Sequence, residues 1–435
     1  MPIPAVKKVL PVPFLLFAAA ALWYAFEYAP EDLSFTLAVI PDTQNYIDFR
    51  HQRAQGFEFD SSELFIQQMR YVASRGIRNG GDIAFVASVG DVWQHQTKPV
   101  DEEHERRGIG IEPDPILARR AVRAEEVLTI ELPTAVEGYR ILHRAGIPFG
   151  VAPGNHDYDA AWSVAGYPPN RNKTWSELGR TVEDLGILHV AGLDNFRSVF
   201  GDQTEFFRDK PWYVASFRGG ANSAQIFSAA GYDFLHITLE MQPGDRVLAW
   251  VESVLAEYPG LPTIITTHDY LNADGERLPQ PLVDLARIDP MFHNSAEQVW
   301  QKLISRHDQI FLVLCGHHVG QSLRVDRNAA GNPVYQILAD YQSRGQTAID
   351  AGRKRRVDLG DGWLRLMRFD FSLEPAIVEV QTYSSHYRQF SSDMDQYADW
   401  YKQREQPEMT DPEFFAADEF SIRLDGFADR FARND

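Results

Sequence analysis

The sequence predicts an α/β fold, and two observations carry that prediction. Short apolar runs alternate with segments of helical spacing through the first half of the chain. Each run stops on a polar cluster, and in open α/β sheets ligands gather at the carboxyl ends of the strands.

Taken in order, residues 34–40 (SFTLAVI) read as a buried strand ending on Pro41 and Asp42. Residues 63–75 set Leu64, Phe65, Met69 and Val72 on one helical face. Residues 83–89 (IAFVASV) form a second strand that stops at Gly90 and Asp91. The charged stretch that follows, with DEEHERR at 101–107, reads as a solvated loop or surface helix. It belongs to an insertion at about 98–132, which follows a ligand strand and is placed to cover a site. Residues 134–145 look helical, and 148–152 lead as a third strand into Gly154, Asn155, His156 and Asp157.

The middle of the chain changes character. Residues 212–217, 224–228 and 232–239 are β-rich runs with turn residues between them, the pattern of antiparallel strands in a second layer. Residues 246–257 (RVLAWVESVLAE) form an amphipathic helix. Strands at 263–267 and 310–315 end at His268 and at Gly316, His317 and His318, with a helix at 298–305 between them. Strands at 334–339, 363–371 and 377–382 complete the sheet content. Residues 391–435 form a polar, acidic, aromatic extension to which no chemistry attaches.

Composition narrows the function. The chain has 435 residues, 44% hydrophobic and 24% charged, with a net charge of -19. That surface repels phosphate backbones, so no nucleic-acid partner is expected. A small phosphorylated substrate stays open, because metal charge can outweigh the global field. Cys315, the one cysteine, sits at the end of an apolar run and reads as a small core residue. No intrachain disulfide can form. At the N-terminus, Lys7 and Lys8 precede an uncharged run rich in Leu, Phe and Ala. Residues 1–30 therefore read as a signal peptide or membrane anchor, and the protein as exported (periplasmic or extracellular), with attachment to a membrane if the segment is retained.

Five strand ends carry Asp42, Asp91, Asn155, His268 and His317. Neighbouring strands would bring them to one rim. Carboxylate, amide oxygen and imidazole suit zinc, manganese or iron better than calcium. Two such metals, roughly 3.5–4 Å apart, polarise a phosphoryl oxygen and lower the pKa of bound water toward 7. No G-x-S-x-G or H-E-x-x-H pattern offers a competing chemistry.

Asp42-Thr43-Gln44, Gly90-Asp91, Gly154-Asn155-His156-Asp157, His268 and Gly316-His317, in this order, resemble the motifs of the calcineurin-like metallophosphoesterase superfamily. The resemblance implies a four-layer α/β/β/α sandwich over residues 31–390 and a dinuclear centre that hydrolyses a phosphomonoester or diester with metal-activated hydroxide. It implies two divalent ions (Mn, Zn or Fe) and a small phosphoester substrate. Asp91 would bridge the ions, Asp42 would bind the first, and Asn155, His268 and His317 the second. His156 would stabilise the phosphoryl group or protonate the leaving oxygen, and Asp157 would orient its imidazole. The chain departs from the family pattern twice. Gln44 stands where the first motif usually has histidine, and Val319 where the last motif does, with His318 one residue out of place. These departures imply a first metal held by Asp42, Asp91 and Gln44 or water, more weakly than the second. They also motivate an alternative, a catalytically reduced member of the fold kept as a binding or scaffold protein. Asp340, Tyr341 and Gln342 follow a later strand and could support the site or do no more than bond at a strand end. His95 could face the site or sit in a loop. His104, His143, His189, His236, His293, His307 and His386 lack motif context and read as structural.

Overall fold

The computed structural model describes residues 33–112, 123–173, 177–179 and 181–434. The segment read as signal or anchor lies outside the described residues. Among the described residues no helix is long and apolar enough to cross a membrane.

In chain order, the first part runs β1 (Ser34–Ile40), α1 (Ser62–Ser74), β2 (Ile83–Ser88), α2 (Glu102–Arg106), β3 (Ile111–Glu112), α3 (Leu132–Ala145), β4 (Phe149–Val151), β5 (Ala160–Val164) and β6 (Leu188–Ala191). The second part runs β7 (Tyr213–Phe217), β8 (Asn222–Ala229), β9 (Tyr232–Thr238), α4 (Asp245–Glu257), β10 (Thr263–Thr266), α5 (Ala296–Lys302), β11 (Ile310–Cys315), β12 (Gly320–Arg327) and β13 (Pro333–Asp340). Then come β14 (Trp363–Asp370), β15 (Ala376–Ser384), β16 (Gln389–Phe390), α6 (Tyr397–Glu405), α7 (Asp411–Asp418) and β17 (Phe420–Leu424).

These strands build two large mixed sheets. The first has the order β16-β15-β14-β1-β2-β4, with β17 also on β15, and the second β12-β13-β11-β10-β9-β8-β7. Strands β1, β2 and β4 are parallel neighbours, as are β9, β10, β11 and β13. Parallel pairing sends their carboxyl ends to one rim, and that rim carries the site.

Side-chain alternation sorts the layers. Phe35, Leu37 and Val39 of β1 point inward and meet Phe85, Phe234, Phe311 and Phe369 between the two sheets. Ala38 and Ile40 point outward, against Phe65 and Met69 of α1 and Tyr139 of α3. On the far face of the second sheet, Val251 and Val254 of α4 and Val299 of α5 cover Ile237, Ile265 and Val313. The result is a helix–sheet–sheet–helix sandwich. Helix α3 ends where Gly146 adopts a left-handed φ of 70°, the usual glycine stop. Helix α5 starts on a capping box between Ser295 and Gln298.

Strands β3, β5 and β6 form a separate small sheet beside the rim. The residues after 390 are built into the sandwich. Strand β17 pairs with β15, and α6 and α7 bury Tyr397, Tyr401 and Phe414 against Trp363 and Tyr341.

Candidate metal centre

The five motif residues converge where the two sheets' loops meet. Asp42, Asp91 and Asn155 follow strands of the first sheet, and His268 and His317 strands of the second. Asp91 and His317 hold left-handed φ values of 50° and 69°. Such backbone is costly for a non-glycine residue and persists only where surroundings enforce it. At Asp91 they do so through its carbonyl, which accepts from the Thr43 and Gln44 amides at 3.0 and 2.8 Å.

Asp91 is central. Its Oδ1 lies 3.2 Å from His268 Nε2 and accepts from the His156 amide at 2.8 Å. His268 Nε2 is 3.2 Å from Asn155 Oδ1 and 4.0 Å from Asp42 Oδ2. His268 Nδ1 is fixed by the Val89 carbonyl at 2.8 Å, which turns Nε2 into the site. Asp42 accepts from the His317 amide at 3.2 Å. Ligand-capable atoms of Asp91, His268 and His317 all lie within 4.8 Å of one another.

Three features fit a divalent cation here. His317 Nε2 and Gln44 Oε1 are buried without a hydrogen-bond partner, although buried polar atoms are rarely left so. Two glycines make room for the carboxylates, since a Cβ on Gly154 would sit 2.2 Å from Asp91 Oδ1 and one on Gly316 2.2 Å from Asp42 Oδ1. The charges also ask for a cation. Burial and the nearby Asp340 push the Asp42 carboxyl well above its usual range. Burial works against the charged forms of Asp91 and His268 too. His268 and His156 outweigh it to hold Asp91 low, and Asp91 and Asp42 outweigh it to push His268 up to about 10. Burial takes His317 down to about 3, which leaves a neutral imidazole ready to ligate.

Gln44 also lies at the centre. Its amide nitrogen lies 3.2 Å from Asp91 Oδ2 and also contacts Gln342 Oε1. Gln342 in turn donates to Asp340 at 2.8 Å, so the Asp340–Gln342 segment supports the site through Gln44. His318 turns away and pairs with Asp269 at 3.1 Å.

Asp157 needs a correction. It does not touch the His156 ring. Its carboxylate accepts from the Val92 and Gly154 amides, both at 2.8 Å, and so ties the Asp91 loop to the Asn155 turn. Burial and Asp91 push its pKa up to about 8. The His156 ring is held by the Gln94 carbonyl, 2.6 Å from Nδ1. Gln94 is held in turn by a residue the sequence reading missed. Glu131 is fully buried at the end of a π-helical turn and accepts from the Phe49, Gln94 and His95 amides. Its partner ring is His95, with Nδ1 2.7 Å away, which places His95 in the supporting loop. A glutamate in an otherwise apolar helix pattern was the available signal.

A cavity of about 400 Å³ opens over Asp91, Asn155, His156 and His317, and Gln342 and Arg404 also line it. Among the described residues of the 98–132 insertion none lines it. No family model matches the chain. The protein YvnB of Bacillus subtilis (strain 168), described as uncharacterized, is 24% identical over 252 residues, 57% of this chain. The chain thus spans only 15% of that relative's length. A dimetal phosphatase from Danio rerio superposes with a TM-score of 0.39 at 13% identity, over 81% of this chain and 96% of that one.

Proposed function

We propose that the chain hydrolyses phosphoesters with two divalent cations, held by Asp42, Gln44, Asp91, Asn155, His268 and His317. The observation that carries this reading is the unpartnered, buried His317 Nε2 beside Asp91 and His268. When bound, such cations polarise a phosphoryl oxygen and bring the pKa of water toward neutrality.

The chain's own residues account for the rest. Donation of the His156 Nδ1 proton to the Gln94 carbonyl leaves Nε2, 4.0 Å from Asp91 Oδ2, as the nitrogen that takes or gives a proton. With its ring on the cavity wall, His156 is the group to protonate the leaving oxygen. Gln342 and Arg404 line the same cavity and offer donors to a substrate's polar groups. The basic and apolar N-terminal pattern supports an exported or anchored enzyme.

The test is metal content of the purified chain, with turnover of an aryl phosphate monoester and diester in added manganese or zinc. About two equivalents at this centre, those lost in Asp91→Ala, with turnover is expected. Asp91→Ala and Asn155→Ala should lose metal and activity together. One equivalent or less at this centre, with neither ester turned over, would favour the binding-protein alternative.

A further inference from the structure

Three histidines without motif context gather apart from the ligands of the first centre. His104 comes from α2 in the insertion, His189 from β6, and His293 from the loop that also carries Asp289. Ligand atoms of His104, His189 and Asp289 lie within 4.8 Å of one another. The rings of His104 and His189 stand nearly perpendicular at a 5.0 Å centroid separation, with the His293 ring 6.1 Å from that of His189. His189 is fully buried, and its Nε2 has no hydrogen-bond partner. Its Nδ1 faces its own chain, 3.0 Å from the Val190 amide nitrogen, so Nε2 is the nitrogen turned to the cluster.

We propose that His104, His189 and Asp289 form a second, structural cation site of zinc type, with His293 the nearest further donor. Imidazole and carboxylate in a set of three or four suit zinc. The supporting contacts are those that orient metal-binding histidines. His104 Nδ1 rests on the Asp101 carboxylate at 2.6 Å, and His293 Nδ1 on the Gln242 carbonyl at 3.1 Å. Each contact leaves the ring's Nε2 free to ligate. Burial, with His104, His293 and Arg107 close by, keeps His189 uncharged. Arg107 adds a fixed positive charge, but it engages Asp289 through Oδ2, and Asp101 supplies a second carboxylate beside the cluster. An ion here would staple α2 to β6 and to the 289–293 loop. Leu188, the neighbour of His189, lines the substrate cavity, so the staple also fixes one wall of that cavity.

The test uses the full chain with the first centre disabled by D91N and H317N. Asparagine tolerates the left-handed backbone that both positions require. After dialysis against zinc this variant should keep about one zinc per chain, and cobalt in its place should give the intense visible bands of a four-coordinate ion. Adding H104Q, at a partly exposed position, should remove both signals with the circular dichroism spectrum unchanged. In the otherwise wild-type chain H104Q should remove one equivalent whether or not the first centre fills, so failure here is separable from failure of the hydrolase reading. H293Q gives an independent check, with weakened zinc retention expected. No zinc above background in D91N/H317N, or zinc and cobalt bands unchanged by H104Q, would overturn the proposal.

Discussion

Gly154 and His156 separate two functions that lie two residues apart. A Cβ on Gly154 would displace the Asp91 carboxylate, which it would approach to 2.2 Å. Gly154→Ala should therefore cost on the order of 10–100-fold in metal affinity, read by titration against a metal indicator. His156 touches Asp91 only through its amide and at 4.0 Å through its ring. His156→Ala should keep its metal and lose turnover by roughly 10²–10⁴-fold. A metal-free His156→Ala protein would show that the ring ligates. At this scale the convergence of the candidate ligands was legible because each lies within a few residues of the end of an apolar strand, and parallel strands end together. The role of Asp157 was not, because adjacency to His156 does not say where a side chain points in a tight 3₁₀ turn. The His104–His189–Asp289 cluster was illegible for another reason: its members lie far apart in the chain and share no spacing.

Elements were legible in proportion to their burial. Strands β1, β2 and β11 are buried along almost their whole length and read as continuous apolar runs. Strand β12 was missed because it is an edge strand whose second half alternates exposed and half-buried residues, with Arg324, Asp326 and Arg327 among them. The C-terminal helices were missed as structure because their core is aromatic and charged instead of aliphatic. Arg344 lies between Glu405 at 2.9 Å and Asp418 at 3.3 Å, with Arg365 on Asp418 at 2.8 Å, all fully or almost fully buried. Removing one partner of a buried network strands the others' charges. Asp418→Ala should cost about 3–5 kcal/mol, measured by urea unfolding. Truncation after residue 390 should do worse, since it strands Arg344 and Arg365 and strips β17 from β15. Soluble, folded protein ending at 390 would show that α6, α7 and β17 are dispensable.

For the whole molecule, pH acts on the join between the sheets. His236 lies on β9, with Gln225 Oε1 2.9 Å from Nδ1 and Thr266 Oγ1 2.8 Å from Nε2, and burial lowers it to about 3. The unfolded chain takes up that proton near pH 6.5, so its contribution is complete above pH 6.5 and is lost as pH falls toward 3. His236 contributes about 1.4 kcal/mol per pH unit to the slope in this window, and His236→Gln should reduce the slope by about that much in urea titrations. The metal centre adds a linkage of opposite origin. Its candidate ligands come from both sheets, so a bound cation would cross-link the sandwich at the rim and stabilise it by mass action. In the metal-free protein His268 is pushed up to about 10, and a cation must displace that proton. His268 thus stabilises the metal-free fold below pH 6.5 and ceases to as pH rises through 10, whereas the cation's contribution grows over the same range. The rise in thermal midpoint on adding manganese should therefore be larger at pH 8.5 than at pH 6.5, and EDTA should abolish it. Affinity limited by one displaced proton should change about tenfold per pH unit. A metal-induced shift that is the same at both pH values would mean that His268 is already unprotonated in the metal-free protein, and that Asp91 and Asp42 do not outweigh the burial of its ring.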